Sequence, residues 1–446
     1  MDHGWLLDHS QLRVRLGSRF STPAIHLYPS VGAEVVLSAT ATLHSVTGPP
    51  LKDPPQAWVS RSNDRAFPHL ADVAGEHLDL EEMLEFIFIA PSFADLAVRI
   101  TLGAHGATPI GTAWLLPVHR LPTQNTALLP LTGLAGELAG HLHVEYLSID
   151  PVPSHLRTPD FESLERAHGI DWLHTEPKVM GHRGMGCTHI SPGSAKLPAP
   201  ITENTIASFA QAQARGADFV EFDVHVTIDG TPIIYHNFEV LTLGRNHTAD
   251  STTPVLLEVK DLTLQQLQAL DLRSPAQLAG GPFVPPTNPT DAMQREFSAL
   301  ADALQQLPSS LGFDVEIKYP LLLEGGNSYE KGVQPPPDRN AFVDVILHTL
   351  FKHAGERPIF ITSFDADVCL MLRAKQKRFP VAFLTCGGVS SHERYEDVRC
   401  RSLPAAIAFA SSQGLLGLAT DSAALPENMG EFMTHIHSLG LVALTW

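Results

Sequence analysis

The sequence VMGHRG at residues 179–184 opens a stretch that continues with ITENT at 201–205, VEFDVH at 220–225 and IIYHN at 233–237. Within these short segments, histidines, an arginine and carboxylates lie at or just beyond the ends of apolar runs. In α/β barrels the side chains at the carboxyl ends of parallel strands converge on one mouth, where active sites lie. The stretch therefore predicts a barrel with its functional site at that mouth.

The rest of the C-terminal part alternates between strand and helix patterns, which predicts a parallel sheet with helices outside it, open or closed into a barrel. The predicted strands cover 219–224, 232–236, 313–317, 358–362, 381–385, 415–419 and 441–446. The first predicted helix begins near Thr202. The other predicted helices cover 262–270, 291–307, 340–353, 365–377, 403–412 and 427–438.

Residues 1–150 have a different pattern, with short strands separated by proline and glycine. The predicted strands cover 12–17, 34–39, 84–89, 96–100 and 141–147, a spacing typical of a β-sandwich. The segment 151–177 contains prolines that discourage continuous structure, and it predicts a linker with one short helix at 161–168. The third part, 178–446, is the predicted barrel.

Composition excludes several classes of protein. A chain of 446 residues suits two domains, and its net charge of −18 makes it a poor partner for the phosphate backbone of nucleic acid. The four cysteines form no CxxC pair, residues 1–20 have no signal-peptide pattern, and no apolar run is long enough to span a membrane. These features predict a cytoplasmic protein.

Glu221 and Asp223 point to the same side of a predicted strand, because alternate side chains share a face. In a strand buried on both faces, two adjacent carboxylates repel each other unless a positive charge lies between them. Mg²⁺ or Ca²⁺, which prefer oxygen ligands, would supply that charge. A solvated face on an edge strand is the alternative, and this pair alone does not decide between the two.

The strand at 313–317 adds two further candidates. Glu316 would complete an oxygen-ligand set with the first two carboxylates, and Lys318 would reach an anionic oxygen of a substrate. The alternative is a surface ion pair between Glu316 and Lys318, which would contribute little.

His182 and His236 each end a predicted strand, and two histidines at one mouth can act as acid and base near neutral pH. Arg183 offers a rigid fork of donors that matches a phosphate. Glu203 and Asn204 open a predicted helix, where Glu203 either serves the helix dipole or lies near a substrate. Together these residue types suit phosphoryl-oxygen chemistry.

The HRG, ENT, EFD, YHN and EIK elements, in this order, resemble those of the glycerophosphodiester phosphodiesterase family, over residues 179–446. Within the family, segments 221–237 and 257–263 look similar to the eukaryotic glycerophosphocholine phosphodiesterase branch. Residues 16–18 and 143–151 resemble the C2-like β-domain that precedes the barrel in fungal members.

The resemblance implies a TIM-type barrel that hydrolyses a small glycerophosphodiester, with glycerophosphocholine favoured, to glycerol 3-phosphate and an alcohol. It implies that Glu221, Asp223 and Glu316 hold a divalent cation, Mg²⁺ or Ca²⁺. It also implies that His182 and His236 act as general acid and base, and that Arg183 and Lys318 bind phosphate.

The chain departs from the family pattern at its end. It stops at 444–446, where the family usually continues through one more strand, so a C-terminally truncated barrel is expected. Two other functions stay open. One is a phospholipase D-like or phosphatidylinositol phospholipase C-like enzyme acting on lipid. The other is an inactive truncated barrel that serves as a binding or regulatory module, with membrane contact through its N-terminal domain.

Overall fold

The structure is a computed structural model. It describes residues 8–28, 37–51, 56–62, 67–72, 75–79, 82–104, 109–120, 125–158, 172, 174, 176–185, 201–245, 252–270, 296–333, 336–390 and 392–446. The short helix predicted at 161–168 lies outside these residues, as does the beginning of the helix predicted at 291–307.

The N-terminal part is β-rich, as predicted. Its strands are β1 (Ser10–Leu16), β2 (Ile25–Leu27), β3 (Leu37–Ser45), β4 (Trp58–Arg61), β5 (His69–Leu70), β6 (Glu76–Leu78), β7 (Leu84–Ala90), β8 (Leu96–Ala104), β9 (Pro109–Leu115), β10 (Thr126–Thr132) and β11 (Leu138–Ile149). Hydrogen bonds connect them into one antiparallel sheet in the order β5-β4-β7-β1-β11-β10-β9-β8-β3-β6, with β2 on β11. Strands far apart in this order contribute to one hydrophobic cluster. The C2-like sandwich stays a prediction.

The C-terminal part contains the predicted parallel sheet. Its strands are β12 (Met180–Gly181), β13 (Phe219–Val226), β14 (Pro232–Ile234), β15 (Glu239–Arg245), β16 (Thr252–Glu258), β17 (Ser298–Ala299), β18 (Gly312–Ile317), β19 (Ile359–Ser363), β20 (Val381–Thr385), β21 (Gly417–Thr420) and β22 (Val442–Thr445). Strands β12, β13, β18, β19, β20, β21 and β22 pair in parallel in this order. Strands β14 and β17 extend the sheet antiparallel, and β15 pairs with β16 in a separate hairpin that the sequence did not predict.

Helices alternate with the parallel strands. They are α1 (Ile206–Ala214), α2 (Leu264–Gln268), α3 (Leu300–Gln306), α4 (Arg339–His353), α5 (Ala366–Lys375), α6 (Leu403–Ser412) and α7 (Met429–Ser438). The α/β class with repeated strand–helix units is therefore confirmed. No helix in the described part of the chain is long and apolar enough to cross a membrane.

The first barrel helix begins later than predicted. Asn204 has a positive φ of 56°, a left-handed conformation that no helical residue adopts, so the helix cannot include Thr202. Thr205 caps α1 instead, because its side chain accepts a hydrogen bond from the backbone N–H of Ser208. Glu203 and Asn204, which precede this cap, therefore lie outside the helix.

Strand β1 is buried on both faces, not on one face as its alternating pattern predicts. Leu12, Val14 and Leu16 pack into the core of the N-terminal part, as expected. The opposite face carries Arg13 and Arg15, and it is covered by the C-terminal part rather than by water. The polar face therefore marks an interface between the two parts of the chain.

That interface is a buried network of charges. Arg15, fully buried, lies 2.6 Å from a Glu85 oxygen and 2.7 Å from an Asp367 oxygen in α5. Arg399 Nη2 contacts Asp367 Oδ1, the same oxygen, at 2.8 Å. Nearby, Glu396 accepts a hydrogen bond from the backbone N–H of Ser21 in the N-terminal part. These contacts fix the N-terminal part against the loop that follows β20.

Candidate active site

Strands β13 and β18 position the acidic residues. They are parallel neighbours in a register that sets Asp223 beside Glu316. Glu221 lies two residues earlier on the same face of β13, since side chains alternate along a strand. Single oxygen atoms of Glu221, Asp223 and Glu316 all lie within 4.8 Å of one another, and all three residues are buried. Strand β13 is internal to the sheet, so the alternative of a solvated edge strand does not hold.

Two cations face these carboxylates. Lys318 Nζ lies 2.9 Å from Glu316 Oε1 and 3.5 Å from Asp223 Oδ1. Arg183 Nε lies 3.7 Å from Asp223 Oδ2. Burial acts to lower the pKa of Lys318, but Glu316 and Asp223 outweigh it and raise that pKa above its usual value. Both side chains therefore stay positively charged at the mouth.

The pKa values of the three carboxyl groups show that the two cationic side chains do not neutralise the negative charge of the site. Burial raises the pKa of Glu221 well above its usual value, and the nearby Asp223 and Glu316 raise it further. Burial also raises the pKa of Glu316. For Asp223 burial acts in the same direction, but Lys318, His236 and Arg183 outweigh it and lower the pKa to about 2. A further positive charge would relieve the two carboxyl groups with raised pKa values.

The residues present fit a hard divalent cation. Glu221 Oε1 and Asn204 Oδ1 are buried oxygen atoms that have no hydrogen-bond partner among the residues that the structure describes. Such atoms are rare in folded proteins because burial without a partner is costly, and a bound ion accounts for them. An all-oxygen set of this kind suits Mg²⁺ or Ca²⁺.

The loop after β12 carries His182 and Arg183. Arg183 has a positive φ of 55° and donates its backbone N–H to Glu221 Oε2 over 2.8 Å. The Ser208 hydroxyl of α1 donates to the Arg183 carbonyl oxygen over 2.9 Å, which holds this strained turn in place. His182 projects outward, with 57% of its side chain exposed and Nε2 3.9 Å from Glu221 Oε2. Burial and the neighbouring Arg183 lower its pKa.

His236 follows β14. Its Nδ1 lies 2.8 Å from Asn237 Oδ1, so the proton belongs on Nδ1 and Nε2 is left to accept one. Burial lowers the pKa of His236 to about 4, with Lys318 and Arg183 acting in the same direction against Asp223. The imidazole is therefore neutral at neutral pH. The charges of Asp223 and Lys318 act on the pKa values of both histidines.

Glu203 and Asn204 have separate contacts. Glu203 accepts a hydrogen bond from Arg183 Nη1 over 2.9 Å, which orients the guanidinium group. Asn204 donates from Nδ2 to Asp223 Oδ2 over 2.8 Å. The structure thus brings both residues, which the sequence marked as supporting candidates, into contact with the predicted phosphate and metal ligands.

Three residues beside the predicted catalytic and phosphate-binding side chains were given no role from the sequence. Asn237 fixes the tautomer of His236, as described above. His225 lies with Nε2 3.4 Å from the His236 carbonyl oxygen, and its ring meets Phe238 edge to face at 5.2 Å. Phe238 in turn lies 5.9 Å from Lys318 Nζ. The one available signal was that His225 shares a strand face with Glu221 and Asp223.

Comparison with known proteins adds a family assignment. Residues 182–446 match the model of the glycerophosphoryl diester phosphodiesterase family. Glycerophosphocholine phosphodiesterase GPCPD1 from Rattus norvegicus is 32% identical over 360 residues, which cover 79% of this chain and 52% of the relative. Glycerophosphocholine phosphodiesterase GDE1 from Candida albicans is 28% identical over 359 residues, which cover 70% of this chain and 29% of the relative.

The chain spans about half the length of the first of these relatives and less of the second. A solved structure of a putative glycerophosphoryl diester phosphodiesterase from Silicibacter pomeroyi is 22% identical, with a TM-score of 0.42, over 62% of this chain and 85% of that one. The family match covers more than half of the chain and includes the mouth of the barrel. On that evidence the chain belongs to the glycerophosphoryl diester phosphodiesterase family.

Proposed function

We propose that this protein is a metal-dependent phosphodiesterase that hydrolyses small glycerophosphodiesters, with glycerophosphocholine favoured, to glycerol 3-phosphate and an alcohol. The observation that carries the proposal is the convergence of three buried carboxylates, two cations and two histidines at one end of a parallel sheet. Relatives named as glycerophosphocholine phosphodiesterases support the substrate.

Glu221, Asp223 and Glu316 would hold the divalent cation. When bound, such an ion neutralises the negative charge of a phosphodiester and polarises its phosphorus–oxygen bonds. Asn204 keeps Asp223 in position through its amide hydrogen bond. Oε1 of Glu221, which has no hydrogen-bond partner among the described residues, would supply one of the oxygen ligands.

Arg183 and Lys318 would bind the phosphate oxygens. Glu203 holds the Arg183 guanidinium group so that its remaining donors can meet a planar set of oxygens. Lys318 is a point charge whose carboxylate partners keep it protonated. A substrate phosphate would thus meet two fixed positive groups at one edge of the metal site.

His236 and His182 would transfer the protons. His236 is neutral and has Nε2 free to accept a proton, so it suits the general base that removes the proton from the attacking oxygen. His182 keeps 57% of its side chain exposed, so it can take up a proton from water, and it is the histidine that remains for the general acid. A proton given by His182 to the leaving alcohol oxygen balances the one that His236 takes.

Other aspects rest on the sequence alone. The proposal includes a C2-like identity for residues 1–150. A cytoplasmic location and contact between the N-terminal domain and a membrane also stay predictions. The lipid-cleaving alternative and the inactive-module alternative have no support among the named relatives.

Hydrolysis assays test the proposal. The purified chain is incubated with glycerophosphocholine, glycerophosphoinositol and glycerophosphoethanolamine, with added Mg²⁺ or Ca²⁺ and with a chelator, beside His236→Ala. We expect activity that the chelator abolishes and that His236→Ala lowers by about 10²–10⁴-fold.

His437→Ala is the matched control, because His437 is an exposed histidine in α7. It should behave like the parent. Activity that survives the chelator or the His236 substitution would contradict the mechanism, and a folded chain with no activity would favour the inactive-module alternative.

A further inference from the structure

A second group of side chains lies at the carboxyl edge of the same sheet. Each follows the carboxyl end of a parallel strand: Phe364 follows β19, Cys386 follows β20, Asp421 follows β21 and Trp446 follows β22. Because carboxyl ends of parallel strands share one edge of the sheet, these residues and the catalytic candidates face one opening. The proposed mechanism uses none of them.

The aromatic members form a corner around Trp446. The Phe364 and Trp446 rings lie 6.1 Å apart at 84°, and the His392 and Trp446 rings lie 5.8 Å apart at 64°. Trp446 keeps 40% of its surface exposed, so the corner is accessible from solvent. Aromatic faces carry partial negative charge and attract cations, and Trp is the strongest of them.

A carboxylate lies in the same corner. Asp421 Oδ2 is 2.5 Å from His392 Nε2, and the backbone N–H of Ala423 donates to Asp421 Oδ1 over 2.8 Å. These hydrogen bonds, that of His392 first, lower the pKa of Asp421, so it is ionised at neutral pH. The main chain ties the carboxylate to the indole, since Trp446 accepts from the Ser422 N–H and donates to the Thr420 carbonyl oxygen.

Cys386 follows β20, which lies next to β21 and two strands from β18 in the sheet. Burial raises the pKa of the Cys386 thiol to about 12, and the charge of Asp421 adds to that effect together with Glu330 and Glu316. Lys318 also influences the same thiol. The thiol lies on the edge of the sheet that carries both the aromatic corner and the predicted ligands that end or follow β18, since the carboxyl ends of parallel strands share one edge.

We propose that Trp446, Phe364, His392 and Asp421 form the subsite for the cationic headgroup of the substrate, and that they select a quaternary ammonium such as choline. The inference rests on the proposed function, because it assigns the alcohol end of the same diester. A quaternary ammonium cannot donate a hydrogen bond, so an aromatic corner with one carboxylate recognises it by charge and by apolar contact. A neutral, hydroxylated headgroup such as glycerol gains nothing from the charge and little from the apolar contact.

Substrate competition tests the subsite in the full chain. The kcat/KM values are measured for glycerophosphocholine and for glycerophosphoglycerol, whose headgroup is neutral, in the parent, Asp421→Asn and Trp446→Leu. We expect the ratio of the two values to fall by on the order of tenfold in each variant, since cation–π and charge contacts at partly open sites contribute this much. Equal losses on both substrates would overturn the subsite.

A matched control and a binding readout separate this inference from the hydrolysis itself. Glu427→Gln removes an exposed carboxylate from the same loop as Asp421, and its substrate ratio should stay at the parent value. Choline alone is also titrated while intrinsic tryptophan fluorescence is followed. Quenching in the parent that Trp446→Leu abolishes and Asp421→Asn weakens supports the subsite, even if no substrate is hydrolysed. Identical choline titrations in the parent and both variants would overturn it.

Discussion

Asn204 donates a hydrogen bond from Nδ2 to Asp223 Oδ2 over 2.8 Å, and it does so from a left-handed backbone conformation with φ at 56°. Asparagine tolerates this conformation better than most residues with a Cβ. This side-chain contact joins the ITENT and VEFDVH segments. Asn204, the residue before the helix cap, therefore positions Asp223 and does not begin a helix.

Two substitutions of Asn204 distinguish its backbone role from its amide role. Asn204→Gly accepts the positive φ but removes the hydrogen bond to Asp223, whereas Asn204→Ala removes the bond and adds strain of about 1 kcal/mol. We expect both variants to lose about 10–100-fold in cation affinity, as loss of a group that orients a metal ligand usually causes. Only Asn204→Ala should also melt at a clearly lower temperature. Parent-like cation affinity in Asn204→Gly would show that the amide does not support Asp223.

Glu221→Gln tests the cation site through stability. Burial and neighbouring carboxylates disfavour ionised Glu221, so the uncharged isostere should leave the melting temperature in chelator equal to or above that of the parent. A ligand that binds only the folded state raises the melting temperature, and a tighter ligand at the same concentration raises it more. The rise on adding Mg²⁺ or Ca²⁺ should therefore shrink in this variant. Thermal scans with and without the ion measure both effects, and an undiminished rise would exclude Glu221 as a ligand.

Arg15→Ala tests the buried interface between the two parts of the chain. The substitution leaves Glu85 and Asp367 with one cation fewer in a site that excludes water, which should cost about 3–5 kcal/mol in the free energy of unfolding. The control is Glu393→Gln, which breaks an ion pair with Lys331 whose side chains are 47% and 62% exposed. That change should cost less than about 1 kcal/mol. Urea unfolding of the parent and the two variants measures both losses in the free energy of unfolding. Equal losses would mean that the interface network is not a source of stability.

The same network predicts how stability depends on pH. Burial acts to raise the pKa of Asp367, but Arg15 and Arg399 outweigh it and lower the pKa well below the usual value. A carboxylate with a lowered pKa in the folded state contributes stability above its unfolded pKa of about 3.9, and that contribution is lost as the pH falls through the folded value. Urea unfolding of the parent and Asp367→Asn between pH 7 and pH 2.5 measures this contribution. The difference in stability between them should be full at neutral pH and should shrink below about pH 4. A difference that stays constant over this range would contradict the role of the ionised carboxylate.

The sequence was sufficient for much of the site because some of its patterns depend only on local geometry. Alternation along a strand places Glu221 and Asp223 on one face whatever surrounds them, and the order of strands and helices gives the α/β class. The helix start near Thr202 was wrong, since the left-handed turn at Asn204 depends on its contact with Asp223. The β15–β16 hairpin was missed because neither of its strands shows a clear alternation of apolar and polar residues.

What the sequence alone determined is which side chains share a strand face and which apolar runs make the sheet, since both follow from the two-residue period of a strand. The tertiary structure decided which of those faces meet. The register of β13 against β18 sets Asp223 beside Glu316, and the packing of β1 on α5 turns the polar face with Arg15 into a buried interface. Contacts between segments far apart in the chain depend on strand order and register, and no local pattern encodes these.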